Sequence, residues 1–130
     1  MANTITTRAI VDGANYAVIM TTMVSDGVAG EETDTVLFDA SALTGAKNAA
    51  NILWVDYMLS GFSARLEFDA TTDTTALELG SDTPVVHDFR PFGGVTNNAG
   101  TGITGDITLT TTGFTAATDR GHIIMWVKKV

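Results

Sequence analysis

At 130 residues and without a single cysteine, the chain is sized for one domain with a substantial core and has no disulfide or thiolate chemistry to draw on. Its formal net charge is −8, and its 7 Lys and Arg (Arg8, Lys47, Arg65, Arg90, Arg120, Lys128, Lys129) are scattered, so no basic stripe is available to track phosphates and nucleic acid is not an expected partner. The longest apolar runs, 52–55 and 123–127, are too short to span a bilayer, and the opening MANTITTRAIVDG lacks an apolar signal core; the expectation is a chain made in the cytoplasm with no membrane partner.

Taken in order, residues 4–11 alternate Ile5, Ala9 and Val11 against Thr4, Thr6 and Arg8. Asp12-Gly13 follows as a hairpin signal, and a second strand over 15–24 returns with Val11 opposite Ala14, Ile5 opposite Met20 and Ala9 opposite Tyr16. That second strand is apolar on both faces, as expected of a covered or interfacial position. Residues 25–35 form an acidic loop without the spacing of a helix-bounded calcium loop, so no metal is assigned to it. A short strand covers 35–39, and 40–50 reads as a long connection crossing from one sheet to another.

The clearest stretch is 51–69, which reads as two strands joined by the two-residue turn Ser60-Gly61. Counting outward sets Leu59, Tyr57, Val55 and Leu53 opposite Phe62, Ala64, Leu66 and Phe68 on one apolar face. On the other face Asp56 is expected opposite Arg65 and Trp54 opposite Glu67. Regular alternation over 62–69 argues against a helix.

A turn at 70–74 leads to a strand over 75–79 with Leu77 and Leu79 inward. Residues 85–92 predict an edge strand, because Pro91 has no N–H to give a ladder. Residues 93–105 are irregular. A strand over 106–112 follows, with Ile107 and Leu109 inward and Asp106, Thr108, Thr110 and Thr112 outward, and 122–130 is a final strand apolar on both faces. Eight or nine short strands at this spacing, rich in threonine and with no convincing helix, predict an all-β fold: an antiparallel, jelly-roll-like β-sandwich forming a single domain over 1–130.

Catalytic constellations are sparse. Residues 100–105 match G-x-G-x-x-G, but a strand rather than a helix follows, so the segment reads as a loop and no nucleotide cofactor is expected. His87, Asp88 and His122 would need to converge to hold a metal, and nothing in their spacing requires it. Ser25, Ser41, Ser60, Ser63 and Ser81 lie in turns or strands with no evident base and no strained G-x-S-x-G turn. Glu67 and Glu78 are the carboxylate pair a glycosidase would use, although Glu67 lies on an alternating polar face where solvation is the default. Trp54 and Trp126 could form a carbohydrate platform or belong to a core or interface. The expectation is a protein that is not an enzyme and has no cofactor and no metal.

Three segments, Val36-Leu37-Phe38-Asp39-Ala40-Ser41-Ala42-Leu43, residues 105–113 (GDITLTTTG) and residues 123–129 (IIMWVKK), resemble small β-rich capsid decoration (cement) proteins of tailed bacteriophages, including marine and cyanobacterial phages. The resemblance implies a virion structural protein that binds the outer capsid surface and reinforces the shell. Its partner would be the major capsid protein, and a homo-oligomer such as a trimer would suit the symmetry of that surface. Alternatives are a head fibre base, collar or tail protein, or a carbohydrate-binding module. On this reading, residues 1–8 would be an interaction arm contributing Ala2, Asn3, Thr4 and Arg8, and the 89–105 loop would contribute Phe89, Arg90 and Phe92, with Trp126 as a further anchor.

Overall fold

The computed structural model describes residues 3–28, 30–39, 50–96 and 100–129. Nine strands occur in chain order: β1 (Thr4–Asp12), β2 (Tyr16–Val24), β3 (Thr35–Phe38), β4 (Ala50–Ser60), β5 (Ser63–Phe68), β6 (Thr74–Leu79), β7 (Val85–Asp88), β8 (Ile107–Thr112) and β9 (Arg120–Lys129). They build a five-stranded sheet ordered β1-β2-β9-β4-β7 and a four-stranded sheet ordered β3-β8-β5-β6, with every pair antiparallel. The pairs β2–β9, β3–β8, β4–β7 and β5–β6 are the successive rungs of one long two-stranded ribbon folded at the β5–β6 hairpin. Rolling that ribbon so that successive rungs fall alternately in the two sheets produces a jelly roll, to which β1 adds an outer strand.

Alternation explains the core. Ala17, Ile19, Met23, Val55, Tyr57, Leu59, Ile123, Met125 and Val127 point inward from the five-stranded sheet. Ala64, Leu66, Phe68, Leu79, Ile107 and Leu109 meet them from the other sheet, with Phe62 and Phe114 closing one end at a ring separation of 4.4 Å.

The expected hairpin over 51–69 is absent. All eight residues assigned to its apolar face are buried, but β4 and β5 lie in different sheets and face each other across the core. Arg65 pairs with Glu78 and Thr110, and Trp54 with Trp126 and Asp88, so the Asp56–Arg65 and Trp54–Glu67 pairings do not form. Ser60-Gly61 is a corner rather than a hairpin turn. Gly61 adopts φ 85°, and a β-carbon there would collide with the Asp119 carboxylate, which accepts hydrogen bonds from the Thr115 and Ala116 N–H groups.

Other expectations need smaller corrections. The β1–β2 hairpin forms, but Ile5 stands opposite Met23 and Ala9 opposite Ile19, because the turn is longer than Asp12-Gly13 and a bulge falls between Ala9 and Val11. β7 is an edge strand that stops at Asp88, and Arg90–Phe92 is a 3₁₀ turn that accommodates Pro91 near its start. Thr108 points outward yet is buried. The connection expected over 40–50 lies outside the described residues except for Ala50, the first residue of β4; the strands on either side of it, β3 and β4, belong to different sheets.

The C-terminal strand is locked at both ends. The Lys129 side chain is 1% exposed, and its Nζ donates to Asp12 Oδ1 and to the Gly13 carbonyl, each at 2.7 Å. At the other end Gly121 lies where a β-carbon would come within 2.8 Å of Leu59 Cδ2 and 3.2 Å of Phe62 Cζ. Alanine in place of an ordinary strand glycine stabilises by about 0.5–1 kcal/mol. Here Gly121→Ala is expected to destabilise by about 1–3 kcal/mol through overpacking, measured by urea unfolding.

Candidate functional site

The two outer faces of the sandwich differ in chemistry. On the four-stranded sheet the outward positions of β5 and β8 are Ser63, Arg65, Glu67, Thr108, Thr110 and Thr112. On the five-stranded sheet the ladders set out rows of a different kind. One row runs Val11, Val18, Trp126, Trp54, Asp88, and the next runs Arg8, Met20, Ile124, Asp56, Val86. A third carries Thr6, Thr22, His122 and Met58, and Tyr16 stands beside Lys128. This face is therefore aliphatic, aromatic and methionine-rich across its centre.

The aromatic end of that face is built by a bulge. The β4–β9 register shifts between Ile52 and Trp54, and at the bulge the Leu53 carbonyl accepts the Phe89 N–H at 2.8 Å. Ile52 and Val95 exchange both backbone hydrogen bonds, which pins the far side of the 3₁₀ turn to β4. Between these anchors Arg90 is held over Trp126, its guanidinium carbon 5.1 Å from the ring centroid. Asp88 fixes the guanidinium through Nε at 2.8 Å and Nη2 at 2.7 Å. Those side-chain bonds from Arg90, together with its backbone N–H, hold the Asp88 carboxyl down at about 2. Tyr16 meets Trp126 edge-on, with centroids 6.4 Å apart. Two adjoining clefts result, one of about 330 Å³ lined by Tyr16, Leu53, Arg90, Gly93, Trp126 and Lys128, the other of about 370 Å³ lined by Val18, Trp54, Arg90 and Trp126.

Charge is concentrated here as well. Register places Arg8, Arg120 and Lys128 on this outer face, and Arg90 lies over it. Of the acids in these rows, Asp88 is held by Arg90, and Asp56 lies 3.9 Å from His122 Nε2, a contact that becomes an ion pair only when His122 is protonated. Overall acidity suggests a basic partner, whereas the face itself is cationic.

Of the expected contact residues, Arg90 lies over Trp126, whereas Phe89 packs against the core and meets Phe92, which is 69% exposed, at 5.8 Å; neither phenylalanine lines the two clefts. Arg8 shares the face at its β1 side, where Nη2 approaches Met20 Sδ at 3.9 Å. Ala2 lies outside the described residues. Thr4 to Arg8 are not a free arm but the first half of an edge strand, and Asn3 is tied to the Gly30 carbonyl and Glu32. Sequence reasoning assigned no contact role to Tyr16, Val18, Met20 or Lys128. Their signal was the two-sided apolar character of the second and last strands.

The remaining chemical candidates do not assemble. His87 stands opposite inward-facing Val55 and stacks near Tyr57 and Phe89, whereas His122 is on the outer face, so no site joins them. Glu67 stands opposite Thr75 and Thr108, and Glu78 opposite Arg65, so the two carboxylates do not face each other across the ladder. Residues 100–105 pack on the β5–β6 turn, where the Thr101 carbonyl accepts from Thr71 N–H and Thr104 N–H donates to the Asp69 carbonyl; β8 then follows.

In comparisons with known proteins, no family model, no curated protein and no solved structure matches the chain. The geometry of the outer face therefore carries the functional reading. No helix among the described residues is long and apolar enough to cross a membrane.

The Asp88 clamp makes a pH prediction. A depressed carboxyl stabilises its ion pair above the ordinary value of 3.8, and that stabilisation is lost as pH falls through about 2. Carboxyl-carbon NMR is expected to give Asp88 a titration midpoint of about 2, returning toward 3.8 in Arg90→Gln.

Proposed function

We propose that this chain is a non-enzymatic virion structural protein, a capsid decoration protein that seats the outer face of its five-stranded sheet on the major capsid protein and reinforces the shell. The observation that carries the reading is the asymmetry between the two outer faces, one apolar and cationic, the other threonine-rich. An apolar patch left uncovered on a chain of this size marks an interaction surface. Arg90 with Trp126 and Tyr16 supplies the aromatic and guanidinium anchors that dominate such interfaces. Arg8, Arg120 and Lys128 around them suit an acidic patch on the partner and steer association. The resemblance of three segments to phage cement proteins points the same way, and the jelly roll is an architecture that capsid components share with lectins. A trimer would match a three-fold position on the shell.

A second reading rests on one specific observation. The clefts on either side of Trp126 have the aromatic walls and polar rims that bind sugar rings, so a carbohydrate-binding module is the alternative from another class.

Co-sedimentation of the purified chain with undecorated capsids separates the two. Stoichiometric binding is expected, weakened at least about tenfold by Trp126→Ala and unchanged by Thr112→Lys on the opposite face. Loss of binding on Thr112→Lys but not on Trp126→Ala would contradict the assigned face. Retention on polysaccharide columns without capsid binding would replace the reading with the carbohydrate one.

A further inference from the structure

The acidic residues of the β2–β3 loop and its neighbours are spoken for, with one exception. Glu31 accepts from the Gly113 and Phe114 N–H groups and from Thr111 Oγ1; burial opposes its ionisation, but these bonds prevail and keep its carboxyl below the ordinary value. Glu32 accepts from Asn3 and from Thr35 Oγ1, and Asp26 from Val28 N–H. Asp34, in contrast, meets two further acids brought from other parts of the chain.

Asp34 precedes β3, Glu67 lies on β5 and Asp73 ends the β5–β6 turn, and one carboxylate oxygen from each falls within 4.8 Å of the others. Desolvation first, then the Asp73 and Glu67 charges, pushes the Asp34 carboxyl above its ordinary value. One guanidinium offsets this group: Arg65 Nε lies 3.5 Å from Glu67 Oε1. Thr110 Oγ1 donates to the same Glu67 oxygen at 2.7 Å and accepts the Asp34 N–H at 3.1 Å, so Thr110 joins two members of the cluster.

An independent observation comes from Thr108. It stands directly opposite Glu67 in the β5–β8 ladder, and alternation places its side chain on the same outer face as Glu67 and Thr110. Although it points away from the core, Thr108 is only 2% exposed, and its Oγ1 is buried with no hydrogen-bond partner. A covered hydroxyl opposite Glu67, one of the three converging carboxylates, lacks the partner that buried polar atoms normally have. An oxygen-seeking cation would use its lone pair together with the carboxylates.

We propose that Asp34, Glu67 and Asp73, with the Thr108 hydroxyl, form a divalent-cation site on the outer surface of the four-stranded sheet, and that its ligand is Ca²⁺. The donors are all oxygens, as hard cations require. They come from a loop, two strands and a turn, an irregular set that suits the flexible coordination of Ca²⁺ better than the strict octahedron of Mg²⁺. The bound ion would tie the β2–β3 loop to the β5–β6 turn. The site lies on the opposite side of the sandwich from the docking face and does not depend on it.

Calorimetric titration of CaCl₂ into the chelator-treated full chain at low ionic strength is expected to show one saturating site, with a dissociation constant on the order of 0.1–1 mM and weaker binding of MgCl₂. Asp34→Asn and Glu67→Gln should each weaken Ca²⁺ at least about tenfold, with folding checked by circular dichroism. If Glu67→Gln does not fold, the exposed Asp34 variant decides. Thr108→Val should weaken Ca²⁺ a few-fold while leaving the metal-free melting temperature unchanged or higher; undiminished affinity would remove the hydroxyl from the ligand set. No saturable Ca²⁺ binding in the parent chain, or a site untouched by Asp34→Asn, overturns the assignment. Mg²⁺ bound as tightly as Ca²⁺ overturns the choice of ion.

Discussion

The five-stranded sheet depends on the insertion of its last strand. β9 fills the gap between β2 and β4, pairing residues 120–128 with 16–24 on one side and 120–129 with 50–60 on the other. Such pairings are distant in sequence, so the chain must close long loops before the sheet gains its central ladder. The sequence of β9 fits the task on both sides. Ile123, Met125 and Val127 enter the core, Ile124 and Trp126 complete the outer rows, and Lys129 fastens the end to the β1–β2 turn. Without β9 the jelly-roll ribbon would lack its outermost rung, and the proposed docking face would lose its middle.

From that strand the functional geometry follows. An inward-facing set would suffice for a core, yet β2, β4 and β9 are also apolar outward, at Val18, Met20, Trp54, Met58, Ile124 and Trp126. The bulge at Leu53 lets the 3₁₀ turn lie against β4 and hold Arg90 over Trp126, while Asp88 restricts the guanidinium to one pose. An anchor held in place before binding loses less conformational freedom on association. The opposite face carries threonines, which tolerate water on a β-sheet, and the acidic cluster of Asp34, Glu67 and Asp73. The two faces thus differ in balance, with rings and an excess of cations over Asp56 and Asp88 on one side, and threonines with an acidic cluster that Arg65 only partly offsets on the other.

Much of the fold was legible in the sequence because side-chain alternation is a local property. It identified the strands and, from Val55 to Phe68, the inward side chains, but at the bulge Ile52 enters the core and Leu53 lines the outer cleft instead. It could not choose the partners, since two strands that both point inward look alike whether they sit side by side or face each other across a core. Ser60-Gly61 has the composition of a tight turn, and only the Asp119 carboxylate packed against Gly61 reveals it as a corner. The Asp12-Gly13 signal misled by three residues for a related reason, since the turn continues beyond the dipeptide. The proposed docking corner was half legible. Arg90 and Trp126 stood out by type, but Tyr16, Val18 and Met20 join them only through the β2–β9 ladder. The acidic cluster was not legible as a cluster: Asp34 stood in an acidic loop and Glu67 in a different carboxylate pair, and they meet Asp73 only once β3, β5 and the β5–β6 turn are in place.

The central claim is that the outer face of β2, β9 and β4 is the surface the protein uses. Cryo-electron microscopy of undecorated capsids incubated with the purified chain tests it, and the proposed virion role, most directly. The account predicts a jelly roll at regular lattice positions on the shell, with Trp126, Arg90 and Met20 turned toward the capsid protein. Density in which that face looks out to solvent, while the threonine-rich face meets the shell, would contradict it.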